Sequence, residues 1–268
     1  MKLATPALFI SCIVVMSLIL CGCDGSTTYR VKTEIIQVDS IDQIAPLHDS
    51  LVKPVLYTKI SGLERLPLHE TKRKFIAAIL PSILVAKHEV HNRKHKVSQL
   101  AKKPIWDKSD SGFYHQMKKT YNAKNIEDLI NRLGTLPTSI VLAQAAIETG
   151  WGESRFFVQA SNLFGIWSFD DNESRIAAGD RNEKTIFLRS YNDMSGSISD
   201  YFEVLAKHHA YRSLRKARLE TSDPYTLVNH LKNYSERRTW YTRQLKKVIR
   251  QNNLTKYDRY RIDPAYLE

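Results

Sequence analysis

Two polar residues interrupt an otherwise apolar run: Gln144 and Glu148 stand four positions apart in the stretch Ile140 to Glu148, whose other members are Ile, Val, Leu and Ala. A step of four places two side chains on one face of a helix. A helix apolar on every other side must be surrounded by protein, so a glutamine and a carboxyl point together out of a buried element. Gly150 supplies the usual left-handed stop, which puts Glu148 in the last turn, where the helix dipole disfavours negative charge. Burial beside Trp151 would remove water from the carboxylate. Both effects raise its pKa toward the protonated form that a general acid needs, and glycosidases keep one carboxyl protonated in this way. A glutamate that merely ties down a loop backbone is the competing reading, and these arguments leave it open.

The elements that must position this pair follow from periodicity. From Thr71 to about Leu100, Phe75, Ile76, Ile79, Leu80, Ile83, Leu84 and Val85 recur at helical spacing, which predicts an amphipathic helix with a kink at Pro81. His88, His91 and His95 recur near its end at metal-compatible steps, but Lys87, Arg93, Lys94 and Lys96 surround them and favour a solvated basic face. A short helix is expected over Asn125 to Leu133. Gly134 to Pro137 then breaks the chain before the Gln144 helix, for which Thr138 or Ser139 is the expected cap. The acidic span Asp170 to Glu183 carries Gly179-Asp180, and Lys184 to Tyr191 alternates like a strand, so a small hairpin is expected. Ser195 to His209, Pro224 to Tyr234 and Trp240 to Asn252 return to helical spacing. No internal repeat is visible, and about two hundred mostly helical residues suffice for one sizeable core.

Ahead of this lies a leader. Met1 and Lys2 precede an uncharged, largely apolar run from Leu3 to Leu20, a signal-peptide pattern whose alternative is a permanent membrane span. Leu20-Cys21-Gly22-Cys23 resembles a bacterial lipobox, which implies cleavage before an acylated Cys23. All three cysteines, Cys12, Cys21 and Cys23, fall in this stretch, so the mature chain is expected to form no disulfide, although exported chains commonly use them. The expected organisation is a lipoprotein signal peptide over 1–22, a lipidated tether and irregular arm over 23–64, and a catalytic domain over 65–268. The formal charge of +12 points to an anionic partner. Export removes nucleic acid from consideration and leaves peptidoglycan, other wall polymers and lipid headgroups. Asp24 after the cysteine resembles the signal for inner-membrane retention, so the expected location is the cell envelope, lipid-anchored and facing the periplasm.

Two motifs carry a resemblance to a family. Ala143-Gln-Ala-Ala-Ile-Glu-Thr-Gly-Trp-Gly-Glu-Ser, followed by Ser161-Asn-Leu-Phe-Gly-Ile-Trp167, is similar to the bacterial cell-wall endo-β-N-acetylglucosaminidases. That family includes the flagellar rod peptidoglycan hydrolase, and the likeness is closest to its Bax protein branch. It spans roughly Phe75 to Leu254 and is loose outside the two motifs. It implies a mainly α fold, with a lysozyme-like α-lobe and a short β-hairpin over the active-site cleft, and hydrolysis of β-1,4 bonds after N-acetylglucosamine in glycan strands.

The resemblance also implies roles. Glu148 takes the place of the catalytic acid. Asn162 would offer its amide to an N-acetyl group, Gly165 would admit the sugar close to backbone, and Trp167 would stack on a pyranose ring. Phe164 is divided between cleft and core, Ile166 is expected in the core, and Gln144 and Trp151 are expected beside the acid. The second carboxylate is placed on the hairpin, with Glu183 first and Glu173 in reserve; Glu153 lies too near the acid helix. Tyr234 matches a cleft tyrosine of the family and Tyr241 a second one, although Ser-Glu-Arg follows Tyr234 where the family has Ala-Thr-Asp. Neither cofactor nor metal is expected. The rival readings are a muramidase or lytic transglycosylase on the same glycan, and a non-catalytic glycan-binding lipoprotein.

Overall fold

The computed structural model describes residues 29–181 and 184–268. The leader, the lipobox with Cys23, and Glu183 therefore lie outside the described residues. Among the described residues no helix is long and apolar enough to cross a membrane.

The described chain begins with three short strands, β1 (Glu34–Gln37), β2 (Leu51–Val52) and β3 (Val55–Thr58), of which β1 and β3 pair in parallel. This corrects the expectation of an irregular arm. Val38, Ile44, Val52, Val55, Leu56, Tyr57, Ile60 and Leu63 are all buried in the main core. The reason is non-local pairing: parallel strands need a long connection between them, and β2 finds its partner in β7 (Arg261–Ile262) near the other end of the chain. Apolar pairs separated by turns carry no period that would announce this.

Helix α1 (Leu68–Leu100) runs without interruption through Pro81. Every residue from Phe75 to Ala86 is buried, so the first half is a central helix and the amphipathic reading holds only beyond it. Its neighbours include β3, α3 (Ile126–Arg132), α4 (Thr138–Thr149) and α6 (Met194–Lys207). Its far end enters a second, smaller cluster, where Val97 meets Met117 of α2 (Lys108–Thr120), Leu129 of α3, Ala206 of α6 and the loop residues Tyr121 and Leu133. Full burial of each large aliphatic side chain contributes about 1.5–3 kcal/mol, which is ample for the core to set these positions against weak local propensity.

After α4 come α5 (Arg155–Ala160) and a three-stranded antiparallel sheet in the order β4–β6–β5, with β4 at Trp167–Ser168, β5 at Arg175–Arg181 and β6 at Lys184–Arg189. The expected hairpin is β5 with β6, and β4 adds to its other edge. The remaining helices are α7 (Arg212–Glu220), α8 (Pro224–Val228) and α9 (Arg238–Gln251). The protein is thus a helix-dominated α+β fold, as expected, with α2 and α7 unforeseen because their sequences are too charged to show a clear apolar stripe.

Candidate active site

The site is built on α4, in which every residue from Thr138 to Ala146 is buried, Gln144 included. The expected cap is corrected: α4 begins at Thr138 behind Pro137, with no capping bond from its own side chains. Asp258 supplies one from across the fold, accepting from the Ser139 backbone N–H at 2.7 Å and from its Oγ at 2.8 Å. A carboxylate at this end satisfies orphan N–H donors and suits the helix dipole. Lys87, whose Nζ donates to Thr138 Oγ1 at 3.0 Å, lies near enough to Asp258 to feel its charge.

At the other end the helix stops as expected. Gly150 has φ 59°, and Trp151 and Gly152 follow at φ 62° and 93°. At Gly152 a Cβ would lie 2.6 Å from Leu63 Cδ1 and 3.1 Å from Phe75 Cδ2, so both backbone conformation and packing require glycine there. A left-handed tryptophan costs on the order of 1–3 kcal/mol. Its ring is held edge-on to Phe75 at 5.6 Å, with the Lys72 ammonium 5.1 Å from its centroid, contacts that contribute to offsetting that cost. The hydrogen-bond partner of the Glu148 carboxyl is Tyr241, which the sequence reading placed in the cleft without pairing it to the acid.

A continuous chain of hydrogen bonds leads to Glu148. Tyr201 on α6 donates its hydroxyl to Gln144 Oε1 at 2.5 Å, Gln144 Nε2 donates to the Tyr241 hydroxyl at 3.0 Å, and Tyr241 donates to Glu148 Oε1 at 2.7 Å. Both ends of the buried Gln144 amide are thereby satisfied, which avoids the roughly 1–3 kcal/mol cost of an unpaired buried polar group. Tyr234 stacks on Tyr241 with centroids 5.6 Å apart and planes 11° from parallel, and Phe164 stacks on Tyr201 at 4.3 Å. Burial raises the Tyr201, Tyr234 and Tyr241 hydroxyls far above the ordinary tyrosine range, so all three stay protonated.

Glu148 is open to solvent on one side, yet protein encloses it enough to disfavour its charge. Desolvation raises its pKa, and the hydrogen bond from Tyr241 partly opposes the rise. A carboxyl that is partly accessible while protein encloses its other side satisfies both observations.

The Asn162 segment is placed differently from expectation. Asn162 is buried; its Nδ2 donates to the carbonyls of Ile166 and Arg189 at 3.0 and 2.9 Å, and its Oδ1 accepts from the N–H groups of Ile166 and Phe164 at 3.0 and 3.3 Å. The amide is committed to shaping its own loop and joining it to β6, so the role of greeting an N-acetyl group is corrected. Phe164 is buried and belongs to the core, while Gly165 (φ 63°) and Trp167 face solvent. Phe169, unforeseen, is 84% exposed, and its ring centroid lies 6.0 Å from that of Trp167. The signal was present: two aromatics at a step of two share one face of a strand.

Of the hairpin carboxylates, Glu173 is tied down. Arg189 reaches it with Nη2 at 2.6 Å and Nε at 2.9 Å, and Ser168 Oγ donates to it at 3.0 Å. Arg189 Nη1 also meets Asp200 of α6 at 2.6 Å, so this network clamps the sheet to the α-lobe. Two of the histidines near the end of α1 have separate surroundings: His88 Nε2 lies 2.8 Å from the Tyr29 carbonyl and His91 Nε2 3.3 Å from Thr135 Oγ1. Burial and nearby Lys87 hold His91 down to about 4, so it stays neutral.

The family model for mannosyl-glycoprotein endo-beta-N-acetylglucosaminidase, Glucosaminidase, matches residues 123–254. Protein bax of Escherichia coli (strain K12) is 25% identical over 195 residues, which covers 68% of this chain and 69% of that protein. Among solved structures, the catalytic domain of the autolysin Auto from Listeria monocytogenes aligns with 74% of this chain and 98% of its own at 18% identity and a TM-score of 0.43. A C-terminally truncated glycoside hydrolase domain from Salmonella typhimurium FlgJ aligns with 51% of this chain and 97% of its own at 20% identity and a TM-score of 0.35.

Proposed function

We infer that this chain, which belongs through residues 123–254 to the glucosaminidase family of glycoside hydrolases, cleaves the β-1,4 bond after N-acetylglucosamine in the glycan strands of peptidoglycan. The observation that carries this reading is Glu148: an accessible carboxyl at the C-terminal end of a buried helix, raised in pKa by desolvation and held by a buried tyrosine. Oε1 accepts from Tyr241, so the acidic proton of the neutral carboxyl belongs on Oε2. From there it passes to the glycosidic oxygen as the bond to the sugar breaks. The carboxylate left behind keeps the Tyr241 hydrogen bond, which strengthens as charge develops. Gln144 and Tyr201 fix the direction of that hydroxyl.

Trp167 and Phe169 offer flat apolar faces to sugar rings, and Gly165 keeps the adjoining loop free of a side chain. Tyr234 acts through its stacking on Tyr241. Glu183, which directly precedes the Lys184 strand in the sequence, is the assigned second carboxylate, positioning water or stabilising charge opposite Glu148; the engagement of Glu173 by Arg189 supports this choice. Attachment is assigned to acylated Cys23 after removal of 1–22, which places the enzyme in the cell envelope facing the periplasm.

The deciding experiment is digestion of purified peptidoglycan followed by analysis of the new ends. A reducing N-acetylglucosamine end is expected. A reducing muramic acid or an anhydro-muramyl end would instead assign a muramidase or a lytic transglycosylase, and absence of cleavage would leave a glycan-binding protein. Replacement of Cys23 by Ser should abolish palmitate incorporation in cells, and labelling that persists would refute the anchor.

A further inference from the structure

A second feature of the fold lies outside the machinery around Glu148. Between α3 and α7 the surface folds into a groove of about 440 Å³ whose lining includes Lys124, Arg132, Arg212, Arg215 and Lys216, with Asp128 as its one acid. Asp128 is committed: it accepts from the Lys124 backbone N–H at 2.9 Å and from Arg132 Nε at 2.9 Å. Arg132 and Arg215 have a structural duty, since Arg132 donates to the Ala206 carbonyl at 2.8 Å and Arg215 to those of Leu205 and His208 at 3.0 and 2.9 Å, closing the C-terminal end of α6. That duty pins two guanidinium groups but explains neither Arg212 nor Lys216; on α7 Arg212 stands three residues before Arg215 and four before Lys216, so it neighbours both. Crowded like charges repel, and burial together with Arg132 and Arg212 lowers the Arg215 pKa. An anion seated among them relieves this repulsion.

The groove is also linked to the site through the chain. Arg212 directly follows Tyr211, whose ring centroid is 6.5 Å from that of Tyr234, and the Tyr211 hydroxyl is close enough to feel the charge of Glu148. Helix α7 therefore begins one residue beyond a tyrosine that packs near Tyr234. We propose that this groove is a subsite for the carboxylates of the peptide branches on the glycan strand, so that the enzyme reads branched polymer as well as sugar. The inference rests on the reading of peptidoglycan as substrate. Guanidinium groups pre-set by backbone carbonyls suit carboxylates, and pinning two of them reduces the ordering needed when the branch arrives.

The test compares the full chain with its Arg212→Gln/Lys216→Gln double variant, both positions being exposed, on intact peptidoglycan and on glycan strands freed of peptides by an amidase. Exposed ion pairs are individually weak, so the pair of substitutions should lower kcat/KM on intact wall roughly three- to tenfold and leave the value on bare glycan unchanged. Added salt should narrow the difference between the two substrates for the unaltered chain. Equal losses on both substrates, or no loss on either, would overturn the subsite. Unchanged kinetics with weaker binding to phosphatidylglycerol vesicles would also overturn it and assign the groove to a membrane surface. If the unaltered chain cleaves neither substrate, the substrate reading itself fails, and that outcome is distinct from the others.

Discussion

The hydroxyl of Tyr241 lies 2.7 Å from Oε1 of Glu148 and donates to it, across 93 residues of sequence. This bond opposes the desolvation that raises the carboxyl, so the two residues together set how protonated the acid is at a given pH.

Glu148→Gln keeps the shape of the side chain but carries no transferable proton. Turnover should fall roughly a hundredfold or more, while binding to insoluble peptidoglycan in a pull-down persists. Stability gives an independent check. A carboxyl whose folded pKa is raised contributes stability that is present below its unfolded value near 4.5 and is lost as pH rises through the folded value. Glu148→Gln should therefore flatten the decline of Tm over that window. A variant that melts lower at neutral pH yet retains full activity would show that Glu148 only ties down its loop.

Tyr241→Phe removes the donor that lowers the Glu148 pKa. The acid should stay protonated to higher pH, and the alkaline limb of the kcat profile should move upward, whatever the drop in kcat itself. Gln144 Nε2 loses its acceptor inside the protein, which costs about 1–3 kcal/mol and should lower Tm by about 2–4 °C per kcal/mol in a chain of this size. A pH profile that does not move would separate Tyr241 from the ionisation of Glu148.

Glu173 and Glu183 should behave in opposite ways. Glu173→Gln breaks the charge pairing with Arg189 and should lower Tm with kcat nearly kept, because it loosens the clamp between sheet and α-lobe. Glu183→Gln should lower kcat with little change in Tm. The reverse pattern in parallel melting and kinetic assays would transfer the second catalytic role to Glu173.

Asp258→Ala should destabilise the protein by about 1–2 kcal/mol, the usual cost of losing a helix cap, because α4 has no capping side chain of its own. Lys87, held down to about 8 by burial against the pull of Asp258, loses that countercharge and should titrate lower still. Denaturant melts give the first quantity. Lysine chemical-shift titration gives the second, and an unchanged or higher Lys87 value would contradict the pairing.

The parts of this protein that were legible in the chain are those whose determinants are local. An apolar run broken only at Gln144 and Glu148, with Gly150 behind it, specifies a buried helix, its polar face and its end within about three turns. The hairpin over β5 and β6 was legible for the same reason, through alternation and turn residues. What only the tertiary structure decided is who meets whom. Gln144 finds Tyr241 and Tyr201 across 97 and 57 residues, and Ser139 finds Asp258 across 119. The strands before Leu68 find partners through parallel pairing that leaves no period in the sequence. Asn162 shows the limit from the other side: the family resemblance implied a hand extended to substrate, but a primary amide serves backbone groups equally well. Its four bonds in the fold, rather than its chemistry, determine that it holds the loop. Side-chain chemistry and spacing thus define what a residue is able to do, and packing brings the partners that select one of those roles.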